Sequence, residues 1–180
     1  MSEIDNNAII EEFIYNYPVC EFYSIKHSDL IFSDKVRFIC ETECTNYNKT
    51  WACPPNIGSI EDCMKECEEY DHVFLFTTVA EVSDSLNLTE TLAARKNHEE
   101  ITRAIRGEFR QRFKKAMALS SGCLNCETCA FPNEPCRHPE DRTSTIESHG
   151  ILIIQVADQL GISYDVGSNM VTYFSLIFYS

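Results

Sequence analysis

Cysteine spacing carries the clearest chemical signal in this sequence. The chain has ten cysteines in 180 residues, and the segments 40–67 and 123–136 hold all of them except Cys20. Thiols at such short intervals either pair with one another or share a bound metal, so the alternatives are disulfides, zinc and iron–sulfur clusters. The second segment has the spacing Cys123-x2-Cys126-x2-Cys129-x6-Cys136.

The 123–136 segment favours an iron–sulfur cluster. Three cysteines at intervals of three can present their sulfurs to three corners of a cubane, as in the C-x2-C-x2-C run of bacterial ferredoxins, and Cys136 can supply the fourth ligand. Zinc sites more often use two separated C-x2-C pairs, so zinc is the alternative here. His138 could complete a Cys3His zinc site, although a histidine in such a loop is more often solvated.

The 40–67 segment predicts a second centre. Cys63 and Cys67 are four residues apart on a predicted helix and therefore share one face, which suits buried core thiols as well as ligands. If neither reaches the metal, a three-cysteine cluster keeps an open iron. We predict Cys20 to be a core residue. The predicted ligands of this second 4Fe–4S cluster are Cys40, Cys44, Cys53 and Cys63, with Cys67 as a substitute for Cys63.

Charge and composition limit the compartment and the partners. The N-terminus is acidic and lacks the features of a signal peptide, and no apolar run approaches the ~20 residues of a membrane-spanning helix. We therefore expect a cytoplasmic protein, in which disulfides are disfavoured. Lys and Arg number 15 and Asp and Glu number 28, a net charge of −13. This charge disfavours nucleic acid as a partner and favours a partner protein with a positive face.

Hydrophobic patterns predict a single α/β domain over residues 1–180, with a mixed sheet flanked by helices and two cysteine-rich metal-binding loops. We expect the loops to project from strand and helix ends. The predicted helices are 6–14, 60–70, a long helix from Asn87 to about 120–122, and one from 143 or 144 to 161. The predicted strands are 21–25, 30–32, 36–39, 73–82 and 170–179.

The motifs around the cysteines resemble those of a cysteine-rich prokaryotic family of unknown function, described as predicted metal-binding proteins. The resemblance implies a bound metal or iron–sulfur centre but supplies no reaction. One departure is Thr143, where the family pattern leads us to expect proline. The matching residues are 40–44, Tyr47, Trp51, 53–55, 122–123, Cys126, Cys129, 135–139, Ser144, Glu147 and 150–151.

These observations together predict an iron–sulfur protein carrying one or two 4Fe–4S clusters, with a role in electron transfer or as a redox accessory subunit. Such a role requires a redox partner protein. The alternatives are a structural zinc module that mediates protein contacts and an enzyme whose open-site cluster activates a substrate. No glycine-rich phosphate-binding motif follows a predicted strand, so nothing in the sequence favours nucleotide binding.

Overall fold

The computed structural model describes residues 3–164 and 166–180, and the side chains from residue 6 onward. Ten helices and strands make up this part of the chain. The helices are α1 (Glu3–Ile14), α2 (Asp34–Glu43), α3 (Ile60–Glu68), α4 (Leu88–Arg112) and α5 (Ile153–Leu160). The strands are β1 (Phe22–Ile25), β2 (His72–Glu81), β3 (Ala116–Ser120), β4 (Ser144–Thr145) and β5 (Met170–Tyr179).

The five strands form one sheet in the order β1-β2-β5-β3-β4. Strands β2 and β5 pair antiparallel over ten residues each, from His72 opposite Tyr179 to Glu81 opposite Met170. Only the short β3–β4 pair is parallel among the paired strands. The sheet is therefore mixed, and the predicted α/β fold is confirmed.

Side chains of β2 alternate between two apolar layers. Val73 and Leu75 pack into a cluster with α5, whereas Phe74 and Phe76 pack on the opposite face with α1 and α4. Because successive side chains of a strand point to opposite faces, a strand covered on both sides is apolar throughout. The continuous apolar run at 73–76, with which the predicted strand 73–82 begins, thus reflects burial on both faces of the sheet, as predicted.

The helix predicted at residues 60–70 is confirmed, and its capping sequence shows why it starts there. Ser59 Oγ accepts a hydrogen bond from the Asp62 amide (3.1 Å), while the Ser59 amide donates to Asp62 Oδ2 (2.9 Å). This reciprocal capping box gives two backbone amides at the first turn of the helix a hydrogen-bond acceptor. The helix predicted at 6–14 and the strands predicted at 21–25, 73–82 and 170–179 are also confirmed, as α1, β1, β2 and β5.

The strand predicted at 36–39 is wrong, because these residues lie in α2. Ser33 caps the helix by accepting from the Lys35 amide at 3.3 Å. Val36 is buried while Phe38 and Ile39 are exposed, which is a helical rather than an alternating pattern. Residues 30–32 form no strand either, since Phe32 makes only an isolated bridge. Cys40 consequently lies on a helix and not beyond a strand end.

Two predicted helix boundaries are also wrong. Helix α4 ends at Arg112, and the following residues Ala116–Ser120 form β3, which pairs with β5. The helix predicted from residue 143 or 144 begins instead at Ile153, because Ser144–Thr145 pair with the end of β3. In both cases strand pairing with distant residues overrides a local helical pattern. Among the described residues, no helix combines the length and apolar composition required to span a bilayer.

Candidate metal centre

The first cysteine loop is folded back on itself after α2. Cys40 lies in the last turns of α2, and Cys44 is the residue that ends it. The Asn48 amide donates to the Pro54 carbonyl at 2.8 Å, and the Tyr47 amide donates to the Cys44 carbonyl at 3.1 Å. These bonds close the loop and return Cys53 toward the end of α2.

The second cysteine loop leaves the sheet at the end of β3. Gly122 has a φ of +119°, and a Cβ there would lie 2.9 Å from Arg95 Nη2, so only glycine fits this approach. Gly122 therefore follows a strand and not, as predicted, a helix end. Arg103 Nη1 donates to Asn125 Oδ1 at 3.1 Å, and Arg137 Nη1 donates to the Thr128 carbonyl at 3.0 Å. Arginines from inside and outside the loop thus hold its irregular backbone.

The two loops enclose one cavity of about 510 Å³, which we call the cysteine cavity. It is lined by seven of the eight cysteines predicted as ligands. The second loop contributes its whole predicted set, and the first loop contributes three. The cysteines that line it are Cys40, Cys44, Cys53, Cys123, Cys126, Cys129 and Cys136.

Trp51, the chain's only tryptophan, joins the two loops. Its indole Nε1 donates to the Glu134 carbonyl at 2.9 Å, and its ring meets Phe131 edge-on with 5.0 Å between centroids. Trp51 also lines the cysteine cavity. This position at the cavity wall suits a residue that covers the cavity better than one that only packs in the core.

Thiols from the two loops are close enough to interact electrostatically. Burial raises the pKa of the Cys53 thiol, a hydrogen bond with Thr50 opposes this, and the thiols of Cys44, Cys123 and Cys129 raise it further. Burial is also the main reason that the pKa of Cys40 is raised, with Cys44 contributing. Deprotonating several of these thiols together therefore requires a compensating positive charge, which a bound metal supplies.

Positive side chains line the same cavity. Arg95, Arg137 and Arg142 all border it. Arg95 also donates through Nη2 to the Ser121 carbonyl at 2.8 Å, which fixes the start of the second loop. Arg137 and Arg142 both follow Cys136 within six residues of sequence, which places two cations beside the last cysteine of the second loop. The sequence carried no signal for Arg95, because it is one of many charged residues on a long amphipathic helix.

Cys63 and Cys67 lie apart from the cysteine cavity. Both are buried, with relative exposures of 0% and 1%. Cys63 Sγ accepts from Arg37 Nη2 at 3.4 Å and lies 3.6 Å from the Ile57 carbonyl, to which it can donate. Cys67 packs in the apolar cluster beside α5, and burial strongly raises its pKa. Cys20, predicted to be a core residue, is exposed, so that prediction is wrong.

The donor set of the cavity suits a thiophilic metal. All ten cysteines are free thiols, and cysteine sulfur is the ligand of iron–sulfur clusters and of many zinc sites. Within residues 3–164 and 166–180, no three His, Cys, Asp or Glu side chains stand close enough together to hold a metal ion as they are. Seven thiols therefore line one cavity, but no three of them are close enough together to bind a common metal ion in this conformation.

A mixed α/β sheet that carries a cysteine-lined cavity defines a candidate metal-binding protein of the cysteine-rich class. The chain belongs to the family described as predicted metal-binding protein (DUF2284), whose match covers residues 23–179. This confirms the resemblance carried by the cysteine motifs. No curated protein and no solved structure shows significant similarity to the chain.

Proposed function

We propose that the protein is an iron–sulfur protein that holds a 4Fe–4S cluster on Cys123, Cys126, Cys129 and Cys136. The observation that carries the proposal is the convergence of these four thiols, from one short loop, on the cysteine cavity. Their spacing suits a cubane better than the paired knuckles of zinc. A second cluster on the first loop is part of the proposal, with Cys40, Cys44 and Cys53 as its ligands.

The chain's own residues have defined tasks in this proposal. The deprotonated cysteines bind the iron, and Arg137 and Arg142 offset part of the negative charge of thiolates and sulfide. Trp51 and Phe131 cover the side where the loops meet and limit the access of water. When bound, the cluster would supply one-electron transfer at a potential set by these surroundings.

An electron-transfer role requires a partner protein, and we propose both such a partner and a cytoplasmic location. The net charge of −13 favours a partner protein with a positive contact face. Free thiols at all ten cysteines suit the reducing cytoplasm, where structural disulfides are rare.

Metal analysis of anaerobically purified protein tests the proposal directly. We expect iron and acid-labile sulfide, the broad visible absorption of iron–sulfur clusters, and an EPR or Mössbauer spectrum of the 4Fe–4S type. Colourless protein that retains zinc and unfolds on chelation would replace the proposal with the structural zinc module.

One observation favours a second candidate, an enzyme with an open-site cluster. Only three cysteines of the first loop line the cysteine cavity, and Cys63 instead accepts a hydrogen bond from Arg37. A cluster with three protein ligands keeps one iron coordination position for a substrate. A protein of this kind would activate its substrate at the first loop and use the second cluster for electron transfer.

Replacing single thiols separates the open-site arrangement from a four-cysteine site. We expect Cys63→Ala and Cys67→Ala each to keep the iron content of the wild-type protein, because neither thiol lines the cavity. Cys53→Ala, which removes a cavity thiol, should lose the iron of the first loop. Loss of iron in Cys63→Ala, with the fold intact by circular dichroism, would instead assign Cys63 as the fourth ligand.

A further inference from the structure

A second cavity, of about 500 Å³, lies between the end of α4, β3 and the segment 139–144. We call it the basic cavity. It is lined by one third of the 15 Lys and Arg residues, in a chain that also has 28 Asp and Glu residues. Two carboxylates also line it, those of Glu66 and Glu140, which leaves three positive charges in excess. The five cationic residues are Arg106, Arg110, Lys114, Lys115 and Arg142.

Two of these cations share one carboxylate. Asp141 Oδ1 accepts from Arg106 Nη2 at 3.1 Å and from Arg110 Nη1 at 2.7 Å. Arg106 is only 3% exposed, and both burial and the neighbouring Arg110 lower its pKa. Counting Asp141 with the lining carboxylates still leaves two positive charges unbalanced. Clustered guanidinium groups with one counter-ion form an incomplete ion-pair arrangement that an added anion would complete.

The other three cations of the cavity lack an ion-pair partner among the described residues, and one of them, Lys115, instead donates to the Glu69 carbonyl and lies over the Tyr70 ring. In the part of the chain that the structure describes, neither Lys114 nor Arg142 forms a salt bridge. Glu66 interacts electrostatically with Arg142 without forming a salt bridge to it, and Glu66 Oε2 lies 3.2 Å from His149 Nε2. The ammonium of Lys114 and the guanidinium of Arg142 therefore remain available to a ligand.

We propose that the basic cavity binds a small multivalent oxyanion, either a phosphate-bearing or a polycarboxylate metabolite. The excess of positive charge suits a divalent anion, and arginine matches the paired oxygens of phosphate and carboxylate groups. The volume of about 500 Å³ lies in the range of small-molecule sites and exceeds what a simple ion fills. Lys114 and Arg142 bind the anion directly, while Arg106 and Arg110 supply the fixed positive field.

The basic cavity adjoins the cysteine cavity. Arg142 lines both, so one guanidinium forms part of the wall between them. A bound anion would therefore lie next to the proposed metal centre. The inference itself does not rest on the metal, since its evidence is the charge and geometry of the basic cavity alone.

Isothermal titration calorimetry of the full chain tests this inference with inorganic phosphate and, separately, succinate. Both are weak metal chelators, so they should not bind through the metal, and the Lys114 variant assigns the heat to the basic cavity because Lys114 does not line the cysteine cavity. We expect saturable binding of at least one, weakened by added NaCl because exposed charges are screened. Tighter binding of phosphate assigns a phosphate-bearing ligand, and tighter binding of succinate assigns a polycarboxylate.

Two variants and a charge-matched control complete the test. Arg142→Gln and Lys114→Gln should each weaken binding about tenfold or more, the loss expected for one charged hydrogen bond. Lys96→Gln removes the same charge from the exposed face of α4 and should change the affinity less than about twofold. The inference would be overturned if neither anion showed saturable binding. It would also be overturned if Lys96→Gln weakened binding as much as Arg142→Gln and Lys114→Gln do. The visible spectrum, read in the same samples, reports separately on the metal proposal.

Discussion

Cys126→Ala is expected to abolish the cluster on the second loop. Cys126 is the middle thiol of the C-x2-C-x2-C run, and it lines the cysteine cavity with the other three cysteines of its loop. This loop offers four thiolates, the usual ligand number of a 4Fe–4S cluster, and it has no other cysteine to replace Cys126, so the variant should lose roughly four iron atoms per chain. Iron and sulfide analysis of anaerobically prepared protein, together with the visible spectrum, measures the effect.

Cys20→Ala is the matched control for this prediction. Cys20 is exposed and does not line the cavity, so the same sulfur deletion should leave the iron content unchanged. Circular dichroism of both variants verifies that the fold is retained. Full iron content in Cys126→Ala would contradict the assigned ligand set, and parallel losses in both variants would indicate a nonspecific effect.

Acidification is expected to destabilise the protein through His98. The imidazole is fully buried, and its pKa is lowered to about 4, chiefly by desolvation. Its Nε2 lies 3.2 Å from the Phe174 carbonyl, which can only accept, so Nε2 carries the proton. Nδ1, at 2.8 Å from Thr78 Oγ1, then accepts from that hydroxyl. Protonating Nδ1 would reverse this bond and place a charge in the core.

The sign and size of this effect follow from proton linkage. A histidine with an ordinary pKa in the unfolded chain, about 6.5, binds a proton there at a higher pH than in the folded protein. Stability is therefore greatest above about pH 6.5 and falls as the pH decreases toward 4. Between pH 7.5 and pH 5 this group should remove about 2 kcal/mol from the free energy of unfolding.

Urea unfolding of the wild type and of His98→Gln at both pH values, in the same metal state, isolates this contribution. Glutamine does not titrate in this range, so the variant should show about 2 kcal/mol less pH dependence, whatever its absolute stability. An identical pH dependence in the wild type and His98→Gln would contradict the assignment of His98.

Helix and strand positions could be predicted where the local signal and the tertiary environment agree. Residues 73–76 are apolar throughout because both faces of β2 are buried there, and Ser59 with Asp62 marks the start of α3. Two segments have the wrong predicted secondary structure, because 36–39 is a helix and not a strand, and 116–120 is a strand and not a helix. Their apolar residues suit a helix or a strand, and the choice depends on whether a partner strand is available.

The shared position of the second four cysteines at one cavity could be predicted because they lie within 14 residues, a length over which a loop brings them together without help from the fold. The first set depends on more distant geometry. Cys63 is as near to Cys53 in sequence as Cys44 is, yet its side chain lies on the buried side of α3 against Arg37. Spacing alone does not reveal which face of a helix meets the core.

The amino-acid sequence by itself determined the chemistry of this protein: the thiol donors, their clustering in two segments and the α/β class. Only the tertiary structure decided that the two segments share one cavity, that Cys63 and Cys67 lie outside it, and that the basic residues converge beside it. The physical reason is that short-range spacing constrains ligands within one loop. Contacts between α4, β3 and the segment 139–144 depend instead on how the whole sheet packs.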